Sequence, residues 1–308
     1  MSEHKQLVIV ETPFQLLCAN EYVKKKKIAP VLVVRKSGVG ANDFQLDAMI
    51  RDLEMGSSID LIVRPRHLGD LFKAIFKILP LMFFKYESVV IGSYFSNFQR
   101  KIAFLARKNN LVLLDDGVAS VLADRLIGEI KMKAYSAFSI FPLTESNYKS
   151  FELNDFNVTA GRYDCYLQND LSCFFIGQKL VDIDAVGLEA YVRVVEFCVS
   201  ESGGEILNYI PHRAEGQECI ERIKAIPGVR ILFVDFAIEY YFLRERITPS
   251  KVFSVISTAL YSVATIFPAS SIYCVRPESL RVDMFVHYDD IINVFSGHPS
   301  GMVFLSVG

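Results

Sequence analysis

Short apolar runs bounded by turn residues recur along the first half of the chain: LVIV (7–10), VLVV (31–34), IDLIV (59–63), SVVIG (88–92) and LVLLDDG (111–117). Continuous apolar runs of this length are the pattern of strands buried on both faces of a parallel sheet. Between them lie PFQLLCANEYVKKKK and FSNFQRKIAFLARKNN, whose apolar residues fall at three- and four-residue steps and whose ends are rich in Lys or Arg. Such stretches predict helices with cations near the negative end of the dipole. The alternation predicts a β/α/β sheet with helices on its faces.

An irregular stretch follows, containing Pro142, Gly161 and several Asn and Ser residues, and then the alternation resumes. FFIGQ (174–178), ILNYIPH (206–212), VRILFVD (229–235), VFSVIS (252–257) and SIYCV (271–275) predict a second sheet, with helices near 185–200 and 215–225. The expectation is an α/β protein of two Rossmann-like domains, residues 1–165 and 166–308. A length of 308 residues suits two cores.

Composition narrows the classes. The net charge of −2 lacks the basic footprint of a nucleic-acid-binding protein, so no nucleic-acid partner is expected. Six cysteines without a CxxC pair read as buried reduced thiols. The N-terminus lacks a secretory pattern, and the expected location is the cytoplasm. The segment RPRHLGDLFKAIFKILPLMFFK (64–85) mixes Arg64, Arg66, His67, Lys73, Lys77 and Lys85 with bulky apolar residues. Either it packs in the core with lysines reaching out to water, the commoner fate of amphipathic helices, or it makes peripheral contact with an anionic inner-membrane surface.

In doubly wound sheets ligands bind beyond the carboxyl ends of the strands, so strand-end residues are the candidates for chemistry. Asp115-Asp116-Gly117 closes LVLL; two adjacent carboxylates raise one another's pKa, as a general base requires, although Asp-Gly is also a common turn. His212, with Arg213, follows ILNYI and would set an imidazolium beside a phosphate. Glu239, in VDFAIEYYF, is a carboxylate in an apolar setting that a ribose diol would satisfy, unless it is a solvent-facing residue at a helix start. Ser257-Thr258 ends a strand and opens a helix, offering two hydroxyls and free N–H groups to a phosphate, or simply a helix cap.

The order of these elements resembles the bacterial sialyltransferases of GT-B fold, which carry an acidic-acidic-Gly motif in the first domain and His-Pro and Ser-Ser/Thr motifs in the second. Thr12-Pro13-Phe14-Gln15 matches their TP-x-Q element, and Glu239 their acidic residue between the later motifs. Arg213 stands where the family has proline; a literal His298-Pro299 comes after Ser257-Thr258, out of order, and is read as a decoy.

The resemblance implies an inverting transfer of sialic acid from a CMP-sugar donor to a glycan or glycolipid acceptor. In it Asp115 is the base and Asp116 its support. His212 and Arg213 meet the leaving phosphate, Glu239 the ribose or cytosine, and Ser257 with Thr258 the phosphate oxygens. Thr12, Gln15 and Asn97 lie near the sugars. A CMP-sugar carries one phosphodiester charge, so no metal cofactor is expected. The alternatives are another CMP-activated acid sugar such as pseudaminic acid or Kdo, a non-catalytic nucleotide-binding component of a polysaccharide assembly complex, and a Mg²⁺ site on the paired aspartates.

Overall fold

The computed structural model describes residues 6–308 except 39, 57, 65–66, 131–133, 167, 169–170 and 286. Arg66 therefore lies outside the described residues. Met1–Thr159 with Asp235–Ala237 form one compact unit, and Ala160–Val234 with Ile238–Gly308 the other. The chain first changes unit at Thr159–Ala160, slightly ahead of the expected break at 165.

The first unit runs β1 (Gln6–Val10), α1 (Pro13–Lys26), β2 (Pro30–Lys36), α2 (Gly40–Asp52), β3 (Ser58–Ile62), α3 (Leu68–Ile78), β4 (Lys85–Ile91), α4 (Asn97–Leu105), β5 (Arg107–Leu113), α5 (Ala119–Glu129), β6 (Ser136–Ser139) and β7 (Phe151–Leu153), with the single turn α6 (Asn157–Ala160) at its end. Its seven strands are all parallel in the order β3-β2-β1-β4-β5-β6-β7. All five residues of β1 are buried, as a central strand covered on both faces requires. Thr12 caps α1, Pro13 occupies its first turn, and Lys27 ends it in the left-handed conformation. Glu21, buried on α1, accepts the N–H groups of Val158 and Thr159 at 2.8 and 2.7 Å, capping α6.

The second unit runs β8 (Cys173–Ile176), α7 (Leu188–Glu201), β9 (Leu207–Ile210), α8 (Gln217–Lys224), β10 (Val229–Ile231), α9 (Ile238–Arg244), β11 (Lys251–Ser254), α10 (Thr258–Ile266), β12 (Ser271–Pro277), α11 (Tyr288–Ser296) and β13 (Met302–Val307). Its parallel order is β10-β9-β8-β11-β12-β13. Each sheet reverses direction beside its first strand, between β1 and β4 and between β8 and β11. Those are the switch points where doubly wound sheets open a crevice.

Several expectations shift. The helix read through Asn110 ends at Leu105, because Arg107–Leu113 pairs with β4. The strand expected over 229–235 stops at Ile231. β6, β7 and β13 were not anticipated; β6 and β7 have only four and three residues, too few to show a period. The 64–85 segment does not pack its apolar stripe in the core. Asp70, Ala74 and Ile78 are buried, while Leu68, Leu71, Phe72, Ile75 and Phe76 are exposed. No helix among the described residues is long and apolar enough to cross a membrane.

Candidate active site

In the first unit the candidate residues meet at the β1/β4 switch point. Gln15, 1% exposed, donates from Nε2 to Asp116 Oδ1 at 2.6 Å; its Oε1 accepts Glu11 N at 2.9 Å and Gln99 Nε2 at 3.0 Å. Gln99 in turn accepts Gly92 N and Ser93 N at 2.7 and 3.0 Å. The carboxyl ends of β1 and β4, and Asp116 beyond the end of β5, are thereby joined through two side-chain amides. Gly92 is obligatory here, since a Cβ would stand 2.3 Å from Gln15 Oε1.

The two aspartates differ sharply. Asp115 is fully buried; it accepts Ser139 Oγ at 2.5 Å and Ile140 N at 2.7 Å, and burial pushes its pKa up to about 7, with Asp116 adding to the rise. Asp116 is partly exposed, its N–H bonded to Ser120 Oγ at 2.9 Å, and Gly117 turns the chain away at φ +68°. Tyr94, Phe95, Ala119 and Ser120 line a gap beside Asp116 that is too small to hold a water molecule. Of the pair, Asp116 is the accessible carboxylate and Asp115 the buried one, the reverse of the accessibility that a base at Asp115 needs.

Thr12 and Gln15 are engaged in the protein's own hydrogen bonds. Thr12 Oγ1 accepts Gln15 N at 3.2 Å as a helix cap, and Gln15 is the buried connector just described. Asn97 is exposed on the first turn of α4, lining a cavity of about 560 Å³ with Arg100, Lys101, Phe104 and Tyr135. It is absent from the lining of the gap beside Asp116.

In the second unit the switch point is bridged by Gln178, just past β8. Its side chain donates to Ile256 O at 2.5 Å and accepts Ile256 N at 3.1 Å, which fixes the start of the Ser257-Thr258 loop. His212 follows β9, and the ends of β9 and β11 are two strand spacings apart, roughly 10 Å. Glu215 holds the His212 turn: it accepts His212 N at 2.9 Å and the Tyr209 hydroxyl, and Glu215 N donates to His212 O at 2.8 Å. Gly177 leaves room for that pair, since a Cβ there would lie 2.6 Å from the Tyr209 oxygen and 2.7 Å from Glu215 Oε2.

His212 is not the imidazolium expected. Burial, then the charges of Arg213 and Lys179, push its pKa down to about 4, so the ring is neutral near pH 7. Nδ1 accepts Ala214 N at 3.1 Å, which places the proton on Nε2 as a donor. Ser257 caps α10: its Oγ accepts Ala259 N at 3.3 Å and its carbonyl accepts Leu260 N at 3.0 Å. Two of the N–H groups expected to be free are therefore used by the cap, while Ser257 and Thr258 stay partly exposed. Glu239 is 3% exposed rather than solvent-facing; it accepts the Ser262 hydroxyl and so ties α9 to α10, and burial raises its pKa.

His298, the out-of-order histidine, is a structural residue. Its Nδ1 accepts Ser300 N at 3.1 Å, its Nε2 faces Thr265 Oγ1 at 3.2 Å, and its ring meets Tyr261 edge-on. Among the described residues, no group of three or more His, Cys, Asp or Glu is arranged to hold a metal ion. The stretch 93–99 after β4 reads from the sequence as a place for acceptor contacts, and Tyr94 and Gln99 fall in it; Gln178, Glu215 and Ser139 were missed by sequence reasoning. One signal was available for the two connectors: a strand ending Ile-Gly at each switch point, Ile91-Gly92 and Ile176-Gly177, beside a buried or clamped glutamine.

No family model matches the chain, and no curated protein matches it in sequence. Solved structures do match its fold. A Staphylococcus aureus MnaA–UDP complex aligns over 89% of this chain and 79% of its own at 15% identity, TM-score 0.62. The UDP-GlcNAc 2-epimerase of Neisseria meningitidis bound to UDP-GlcNAc aligns over 88% and 82% at 11% identity, TM-score 0.59. The Escherichia coli heptosyltransferase WaaC with ADP aligns over 99% and 93% at 9% identity, TM-score 0.51. Two parallel-sheet α/β units in this arrangement of strands are the GT-B fold. Neither the epimerase nor the heptosyltransferase is a sialyltransferase, and at these identities the likeness reaches the fold and no further.

Proposed function

We propose that the chain is an inverting, metal-independent glycosyltransferase that moves a sialic-acid-like sugar from a CMP donor to a glycan or glycolipid acceptor. The observation that carries this reading is the partly exposed Asp116 carboxylate, gripped by Gln15 from the TP-x-Q element and backed by a fully buried Asp115. A single accessible carboxylate, fixed by a charge-assisted bond beside aromatic walls, suits a base that takes a proton from an acceptor hydroxyl.

The second unit supplies the donor half. His212 donates a neutral Nε2–H to the leaving phosphate, and Ser257 and Thr258 offer hydroxyls two strands away at the end of β11. Arg213 and Lys179 add positive charge near His212. The sugar passes to the acceptor oxygen and CMP leaves with a single phosphate, whose charge these groups meet without a divalent ion. Binding of UDP or ADP by GT-B neighbours supports a nucleotide site on this fold. Glu239 Oε1 is taken by Ser262, so a ribose hydroxyl would reach its other carboxylate oxygen.

The test is CMP release by the purified chain from a panel of CMP-sugars, with UDP- and ADP-sugars alongside, in the presence of a chelator. Release from CMP-sialic acid is expected. Release only from another CMP-sugar overturns the sugar; release only from UDP- or ADP-sugars overturns the CMP assignment.

A further inference from the structure

Helix α3 turns its apolar side outward. At 3.6 residues per turn, Leu71, Ile75, Leu68, Phe72 and Phe76 occupy an arc of roughly 140°. The buried residues Asp70, Ala74 and Ile78 occupy the rest of the inner side. Phe72, Phe76 and Phe83 are 62%, 75% and 76% exposed. Contiguous apolar surface of this kind marks a site of contact with something apolar.

The charges around the arc state which partner. Between residues 62 and 85 the sole carboxylate is Asp70, and it is held by the Arg64 guanidinium at 2.7 and 3.1 Å. Lys73, Lys77 and Lys85 are exposed, and no further carboxylate lies in the segment to offset them; Lys77 Nζ donates to the Asp60 carbonyl at 2.8 Å, a neutral partner that leaves its charge in place. The right-handed crossovers that lead from β3 to β4 and from β4 to β5 put α3 and α4 on the same face of the sheet. That second helix adds exposed Arg100, Lys101, Phe104 and Leu105. A two-fold partner of the same chain would set these cations against themselves. An apolar arc edged with lysine instead complements a bilayer whose surface is anionic.

We propose that α3, with Phe83 after it, seats the first unit on an anionic lipid surface, its phenylalanines entering the acyl boundary and Lys73, Lys77 and Lys85 meeting the headgroups. This rests on α3 and not on the identity of the donor.

The experiment is co-sedimentation of the full chain with vesicles of phosphatidylcholine, alone or mixed with phosphatidylglycerol. The wild type should pellet with the anionic vesicles and be released by salt. F72S/F76S/F83S should remain in the supernatant, and K73Q/K77Q/K85Q should bind more weakly by about fivefold for each lysine removed. Both variants should keep the wild-type circular dichroism and CMP release with a water-soluble acceptor. Wild-type protein that ignores anionic vesicles overturns the proposal, as does vesicle binding unchanged in the phenylalanine variant. A wild-type dimer that this variant converts to monomer, with no vesicle binding, assigns the face to a second copy instead.

Discussion

Asp115→Asn and Asp116→Asn should have opposite consequences, although the residues are adjacent. Asp115 is buried with its pKa raised from 3.8 to about 7. A carboxyl whose folded pKa lies above its unfolded value binds more protons folded than unfolded, so it costs nothing at low pH. Its cost grows as pH climbs from about 4 through 7 and is complete above that. The difference in pKa corresponds to about 4 kcal/mol. Asparagine resembles the protonated acid: its carbonyl accepts Ile140 N and its amide donates to Ser139 Oγ, whose hydroxyl hydrogen rotates away. Asp115→Asn should therefore match the wild type in denaturant unfolding near pH 4 and exceed it by up to about 4 kcal/mol near pH 8. Its transfer rate should fall by no more than about tenfold. Asp116→Asn should keep CMP affinity and lower transfer by about 100-fold or more. Far-UV circular dichroism against urea at several pH values, with CMP release on the same preparations, reads both effects. If Asp115→Asn abolishes transfer as fully as Asp116→Asn and leaves the stability–pH slope unchanged, the division of roles is wrong.

Two further outcomes follow from the packing around the sites. Gly92→Ala places a methyl 2.3 Å from Gln15 Oε1, so Gln15 must swing off Asp116; transfer should fall by about tenfold or more while CMP affinity, measured by calorimetry, holds. His298→Ala removes the acceptor of Ser300 N and the partner of Thr265, and should cost about 1–3 kcal/mol in urea unfolding without changing CMP affinity. Loss of CMP binding in that variant would mean that the His-Pro pair is not the decoy that its order in the chain suggests.

The fold was legible because buried parallel strands leave long apolar runs, and β1, β2 and β4 are such runs. β6 and β7 left no mark, being shorter than the period needed to recognise them. The motifs located the two crevices but not the work of each residue within them. Asp115 and Asp116 are equivalent as letters; only the Ser139 and Ile140 bonds, from a strand too short to foresee, bury one and leave the other facing out. Gln15 read as a sugar contact because its element follows a strand, yet its bonds to Asp116 and Gln99 span long stretches of chain. His212 read as a cation because neither Lys179 nor its burial is visible in the tripeptide around it.

The 64–85 segment shows the same limit from the other side. Its period identified an amphipathic helix, and amphipathic helices are mostly packed apolar side inward. Period alone does not say which side is inward: a narrow strip of Asp70, Ala74 and Ile78 is enough to seat α3 on its sheet, and Asp70 can lie in that strip because Arg64 meets it with two hydrogen bonds. The one acidic residue in a basic segment thus lies on the inner side of the helix with Ala74 and Ile78, while the bulky apolar residues face outward.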